Sequence, residues 1–217
     1  MTGRPAPEVL PPPLRAWLGL IAALAALVVA ALGVVYAGDG EPGGVDARIA
    51  VDGVGPPWRH AALATDFLGE PVGAAVLAGA AVTGCLLLRW PRAAVLVVVG
   101  TGPAVGVTKV LKPLVGRTIH GDANLSYPSG HTAFLTAFAL VVALLATGRL
   151  GLGRTAGTSL VLGAALVVGA AMGWAQVALG AHYPTDVLGG WCTALAVTPA
   201  AAWWVDRVAG AGRERRP

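Results

Sequence analysis

From residue 17 to residue 37 the chain runs without a single charge, and five more apolar stretches follow at about 71–88, 93–111, 129–147, 158–179 and 185–205. Wound as a helix, about 20 residues reach ~30 Å, the thickness of a bilayer's hydrocarbon core. Charged residues make up only 12% of the chain and mean hydropathy is +0.71, whereas soluble domains carry roughly 25% charged residues. A soluble protein is therefore disfavoured. The predicted fold class is all-α, an integral membrane bundle of six transmembrane helices.

The segments between the runs set the domain plan. Residues 1–13 are Pro-rich and read as a disordered cytoplasmic tail, 14–207 as one six-span membrane domain, and 208–217 as a basic cytoplasmic tail. The first run resembles a secretory signal, with Val35-Tyr36-Ala37 as a cleavage site, but its apolar core exceeds the 7–15 residues of such signals. An uncleaved span is expected. Residues 38–57 read as a Gly/Pro/Asp loop. Trp58 to Leu68 reads as a short interfacial helix, with Leu63 and Phe67 one turn apart. Cys85 and Cys192 lie inside apolar runs without metal-ligand spacing and read as small buried hydrophobes. The net charge of +4 does not point to nucleic acid, because the basic residues are scattered between apolar runs rather than gathered on one polar face.

Arginine placement predicts the topology. With the N-terminus cytoplasmic, Arg4, Arg15, Arg89, Arg92, Arg149, Arg154, Arg207, Arg213, Arg215 and Arg216 fall inside, which is 10 of the 15 basic residues. Eight of the 11 acids, Asp52 among them, fall outside. His60, His120, His131 and His182 then share the outer side, and so do Lys109 and Lys112.

Two short motifs start helices on that side. In Tyr127-Pro128-Ser129-Gly130-His131, Ser129 is an N-cap and Gly130 lets a ligand approach the backbone. Free amides of a helix start beside a hydroxyl and an imidazole suit an oxyanion; a capped helix with an incidental His131 is the bland alternative. In His182-Tyr183-Pro184-Thr185-Asp186, Pro184 fits the first helical position and Asp186 the first turn. A His oriented by an Asp is an activated nucleophile or base, and a structural capping pair is the alternative. Two helix starts aimed at one phosphate are thus expected. Lys112 and Arg117 read as a cationic clamp or as interfacial anchors. Lys109, one turn before Lys112, reads as auxiliary or snorkelling. His120, Asp122, His131 and His182 match no standard metal site, so no metal and no cofactor are expected.

These residues resemble the type-2 phosphatidic acid phosphatase family, which shares its core with vanadium haloperoxidases. The family pattern is Lys-x6-Arg-Pro, then Pro-Ser-Gly-His, then Ser-Arg-x5-His-x3-Asp. Pro128 to His131 matches the second motif, His182 and Asp186 the end of the third, and Lys112 the start of the first, within a resemblance covering about 58–206. Two departures stand out. Ile119-His120 replaces the first Arg-Pro, with an arginine two residues early at Arg117, and Ala175-Gln176 replaces Ser-Arg.

The resemblance implies a membrane lipid phosphatase acting on a phosphomonoester or diphosphate lipid, of phosphatidate or polyprenyl type. His182 would attack phosphorus and form a phosphohistidine, Asp186 would orient it, and His131 would protonate the leaving oxygen and then activate water. Lys112, Arg117, Ser129 and Gly130 would hold the phosphate, with His120, Gln176 and Lys109 as auxiliaries. The implied partners are the substrate and membrane lipids, and the location is the plasma membrane, with cytoplasmic termini and an extracytoplasmic site. Arg-over-Lys usage hints at a GC-rich bacterium. The missing arginines leave a weak or inactive lipid-phosphate binder as the alternative. A transporter is disfavoured because the motif residues crowd one rim, and a soluble haloperoxidase is disfavoured by the spans.

Overall fold

The computed structural model describes residues 8–49, 51 and 53–214, with side chains through 211. Arg4, Asp52, Arg215 and Arg216 of the charge count lie outside the described residues, as does the side chain of Arg213. The helices are α1 (Arg15–Val35), α2 (Gly44–Ile49), α3 (Pro56–Phe67), α4 (Pro71–Leu87), α5 (Pro91–Val115), α6 (Gly130–Arg149), α7 (Arg154–Ala178) and α8 (Pro184–Glu214), with a 3-10 turn at Pro12–Leu14. No strand occurs among the described residues; Thr118 and Leu125 form an isolated bridge. Prolines open α3, α4, α5 and α8, where the missing N–H would have no helical acceptor anyway. Gly116, at φ +67°, closes α5 in the left-handed conformation that glycine adopts without strain.

Four helical stretches are long and apolar enough to cross a membrane: Pro12–Val35, Pro91–Val115, Gly130–Arg149 and Arg154–Ala178. The α3–α4 pair, bent by 58°, makes a fifth if it is one span. The predicted sixth, α8, has 31 residues but is less apolar, with Thr193, Thr198, Pro199, Trp203 and Trp204 along it. Of the six predicted spans, four or five therefore meet the requirement.

The bundle is built around α6 and α8. Helix α6 packs on α5, α7 and α8, and α8 packs on α1, α5, α6 and α7. The apolar stretch of α6 is 61% buried and that of α1 only 17%, so α1 is peripheral. Polarity is inverted relative to a water-soluble protein. Leu27, Val34, Val76, Leu87, Leu114 and Val167 face outward, while Thr101, Thr108, Thr132, Thr136, Thr193 and Thr198 are buried. Several of these threonines return their hydroxyls to their own helix, as Thr101 does to the Val97 carbonyl at 2.7 Å. That satisfies the group without water. An apolar exterior over a partly polar interior is what a lipid solvent selects.

Small residues let the central helices approach. A side chain at Gly169 would collide with Trp191, one at Gly173 with Val187, and one at Gly190 would lie 2.3 Å from the Ser129 carbonyl oxygen. Trp191 fills the space left by Gly169 and donates to the Ala165 carbonyl at 2.8 Å.

Two expectations about the ends change. From Glu8 onward the N-terminal segment is packed rather than loose: Val9 and Leu10 are buried, and their amides donate to the Asp206 carboxylate at 2.9 and 2.8 Å. Helix α8 continues through the start of the expected basic tail to Glu214. The loop at 38–57 also holds a short helix, α2, whose Asp46 is buried.

Candidate active site

The amino ends of α6 and α8 meet at one end of the bundle. Ser129 caps α6, its hydroxyl accepting from the Thr132 amide at 3.4 Å. Its own amide donates to the Asp186 carbonyl at 2.9 Å, which ties the two helix starts together. Because Gly190 lies against this same backbone, Gly190→Ala is expected to cost about 1–3 kcal/mol through overpacking and to spread the two starts apart. Thermal unfolding of the purified variant measures this, and wild-type stability would refute the tight contact. The α6 start leaves the amides of Gly130 and His131 without a helical acceptor.

His131 and His182 project from these starts and lie within electrostatic reach of each other. His182 Nδ1 is 3.6 Å from Asp186 Oδ2. His131 Nε2 is 3.7 Å from Asp66 Oδ1. Both distances exceed a hydrogen bond, and both ring nitrogens are buried without a hydrogen-bond partner. Each unpartnered nitrogen thus faces a carboxylate, His131 Nε2 toward Asp66 and His182 Nδ1 toward Asp186, which leaves the opposite edge of the His182 ring for a ligand. Lys112, half-buried near the end of α5, donates to the Leu125 carbonyl and lies within reach of Asp186. An ammonium has three donors, so two remain.

The expected direct contact of Arg117 with phosphate does not match its setting. Its side chain is fully buried. One terminal nitrogen donates to Asp186 at 2.8 Å and Thr185 at 2.6 Å, and the other to Asp46 at 2.6 Å. The guanidinium is stacked between Tyr36 and Tyr183, 4.1 and 4.5 Å from the ring centres. Only Nε lacks a partner. A buried guanidinium is tolerable because two carboxylates face it, and that pairing commits it to the protein. The α8 start is similarly occupied. Asp46 accepts from the Thr185 amide at 2.9 Å, and Asp186 from the Tyr183 amide at 3.1 Å. Of the two helix starts expected to face phosphate, α6 is open and α8 is capped from within.

Burial pushes the Asp46 carboxyl up, but hydrogen bonds from Arg117 and Thr185 outweigh it, and the group lies below its ordinary value. A lowered folded pKa gives stability that is fully present above the unfolded value and is lost as pH falls through the folded one. The Asp46 contribution is therefore expected to be constant from pH 7 to about 5 and to fall away below about 4. Unfolding temperatures across pH 3–7 check this: Asp46→Asn should flatten the acid limb, and an unchanged limb would exclude the pairing.

The other expected residues scatter. His120, at φ +58°, is exposed and pairs through Nε2 with the Gly180 carbonyl at 2.7 Å. With His182 and Tyr183 it lines an open pocket of about 250 Å³. Gln176 is buried and donates to Asp66. Lys109 is exposed on α5, and Gly130 is half-buried, with room beside it toward Thr108.

Asp46 and Asp66 were not singled out from sequence. Asp66 ends the amphipathic helix α3, and Asp46 lies in what reads as a loop, so neither carries a local motif. The bend after α3 delivers Asp66. Gly73 sits where a side chain would strike the Phe67 carbonyl, and a side chain at Gly69 would strike the His131 ring. Asp66, Glu70 and His131 place their ligand atoms within 4.8 Å of one another. Glu70 is exposed and Asp66 already accepts from Gln176, so the pair of acids is as well suited to steadying His131 as to holding a cation.

An apolar helical bundle thus brings two histidines, a lysine and open helix-start amides together at one rim. The PAP2 superfamily model matches residues 93–209, more than half of the chain, and the chain belongs to that superfamily. The match begins at α5, later than the expected 58, so Asp46 and Asp66 come from outside it. Neither a curated protein nor a solved structure matches the chain. Membership points to phosphatase activity on phosphate esters.

Proposed function

We propose that this protein is a membrane-embedded lipid phosphatase that hydrolyses a phosphate mono- or diphosphate ester through a phosphohistidine. The observation carrying this reading is the convergence of His131 and His182, each facing a carboxylate, at the open α6 start. With Nδ1 turned to Asp186, His182 presents Nε2 as the nucleophile. Its lone pair forms the N–P bond as the P–O bond to the lipid breaks, and His131 gives a proton to the departing oxygen. His131 then takes a proton from water, whose oxygen attacks phosphorus and releases phosphate and free His182. Lys112, the Ser129 hydroxyl and the amides of Gly130 and His131 hold the phosphate oxygens. Asp66 holds the His131 ring, and Gln176 holds Asp66. Arg117 acts as a positioning residue through Asp186 rather than as a phosphate ligand.

The inward-lying arginines support cytoplasmic termini and a site on the extracytoplasmic face of the plasma membrane. A substrate then enters from the outer leaflet. No metal is needed in this mechanism. A panel of phosphatidate-type and polyprenyl diphosphate lipids, assayed for phosphate release with and without chelator, tests the reading. Turnover of at least one lipid is expected, insensitive to chelator and inhibited by vanadate. A chelator-sensitive reaction would instead assign a cation to Asp66, Glu70 and His131.

A second reading, a weak or inactive binder of lipid phosphates, is favoured by the commitment of Arg117 to internal carboxylates. Losing one transition-state donor costs about 3–4 kcal/mol when nothing replaces it. Lipid-phosphate binding without release across the panel would establish that reading.

A further inference from the structure

We propose a binding site for an anionic phospholipid at the end of the bundle opposite the histidines, formed where α4, α5 and α6 meet. Two adjoining cavities build it. A small one, about 60 Å³, is lined by Arg89, Arg92 and Arg149 together with Glu8 and Trp90. A larger one, about 470 Å³, is an apolar groove along α4, α5 and α6, with Cys85, Leu88, Val97 and Val142 in its walls. Trp90, Leu145 and Arg149 line both, so the arginine pocket opens directly onto the groove. A phosphate-bearing headgroup over an acyl chain has that same succession of charge and hydrocarbon.

Three details point to an anion. Helix α5 starts at this pocket with no side-chain cap and no acid in its first turn, so its positive dipole end favours a negative group there. The Arg149 guanidinium carbon lies over the Trp90 ring, 3.3 Å from its centre, at the junction of pocket and groove. Arg89 adopts φ +59° just past the end of α4. Glycine occupies the other positive-φ positions of the described chain except His120, and glycine is the residue such a helix end prefers. An arginine there accepts backbone strain in exchange for its side chain. Glu8, the acid at the rim, is turned to Arg15 at 2.9 Å and leaves the pocket's balance positive.

Detergent-purified full-length protein titrated with dioctanoyl phosphatidylglycerol tests the site, with thermal unfolding as the readout. Saturable stabilisation is expected, with at least ~tenfold weaker effects from dioctanoyl phosphatidylcholine and from inorganic phosphate. Arg89→Gly should unfold no earlier than wild type, since it relieves the strained φ, yet weaken phosphatidylglycerol binding several-fold. Arg89→Gln with Arg149→Gln should weaken it further and leave phosphate release unchanged. His182→Ala should bind phosphatidylglycerol as wild type does, which separates this site from the catalytic one. Equal affinity for the zwitterionic lipid, an equal effect of inorganic phosphate, unaltered binding by the arginine variants, or loss of binding in His182→Ala would each overturn the proposal.

Discussion

Replacing His182 with alanine is expected to lower phosphate release by about 10⁴-fold or more, the scale on which nucleophile removal acts in covalent hydrolases. The fold should survive. Among the described residues, the imidazole makes no hydrogen bond, and its nearest ionic partner, Asp186, is held independently by Arg117 at 2.8 Å and by the Tyr183 amide at 3.1 Å. Unfolding temperature should therefore stay close to wild type. Assaying wild type and His182→Ala on the best lipid of the panel decides the matter. Background-level release from wild type and variant alike would remove His182 from any catalytic role.

Arg117→Ala carries the largest expected effect on stability. It strips the shared partner from Asp46 and Asp186, both fully buried, and breaking such a pair costs about 3–5 kcal/mol. Cavity loss between Tyr36 and Tyr183 adds to this. The diagnostic comparison is Asp46→Asn. Asp46 sits on α2, bonds Arg117 and Thr185, and has no place in a phosphate clamp. If Arg117 works by positioning, Asp46→Asn should lower kcat with little change in KM, in the same direction as Arg117→Lys. If Arg117 instead binds phosphate, its own variant should raise KM and Asp46→Asn should do little. Kinetics on mixed micelles at fixed surface concentration separate the two.

Much of the fold was legible because a bilayer imposes a simple rule: apolar runs of about 20 residues become helices. The run expected from 71 and the first helical position expected at Pro184 both open helices in the fold, whereas α5 opens at Pro91, two residues before the expected 93. The histidine motifs were legible because each is local: a cap, a glycine and an imidazole within one turn at 129–131, and His182 four residues from Asp186. Asp46, Asp66 and the fate of Arg117 were not legible, for one physical reason. Each depends on a contact between residues far apart in the chain, such as Arg117 with Asp46 across 71 positions and Gln176 with Asp66 across 110. No periodicity reports such pairings. A different reason explains why α8 reads as ending near 205. Past Val205 the helix carries Asp206 and Arg207 and then a short Val-Ala-Gly-Ala-Gly stretch before Arg213, and nothing in that composition distinguishes it from a tail.

The central claim is covalent catalysis by His182 at the α6–α8 junction. Its most direct test is to quench wild-type protein during turnover of a ³²P-labelled lipid phosphate and to map the label. The expected result is an acid-labile, base-stable phosphoryl group on the peptide containing His182, absent in His182→Asn. Label on another residue, or steady phosphate release with no label trapped under rapid quench, would contradict the account.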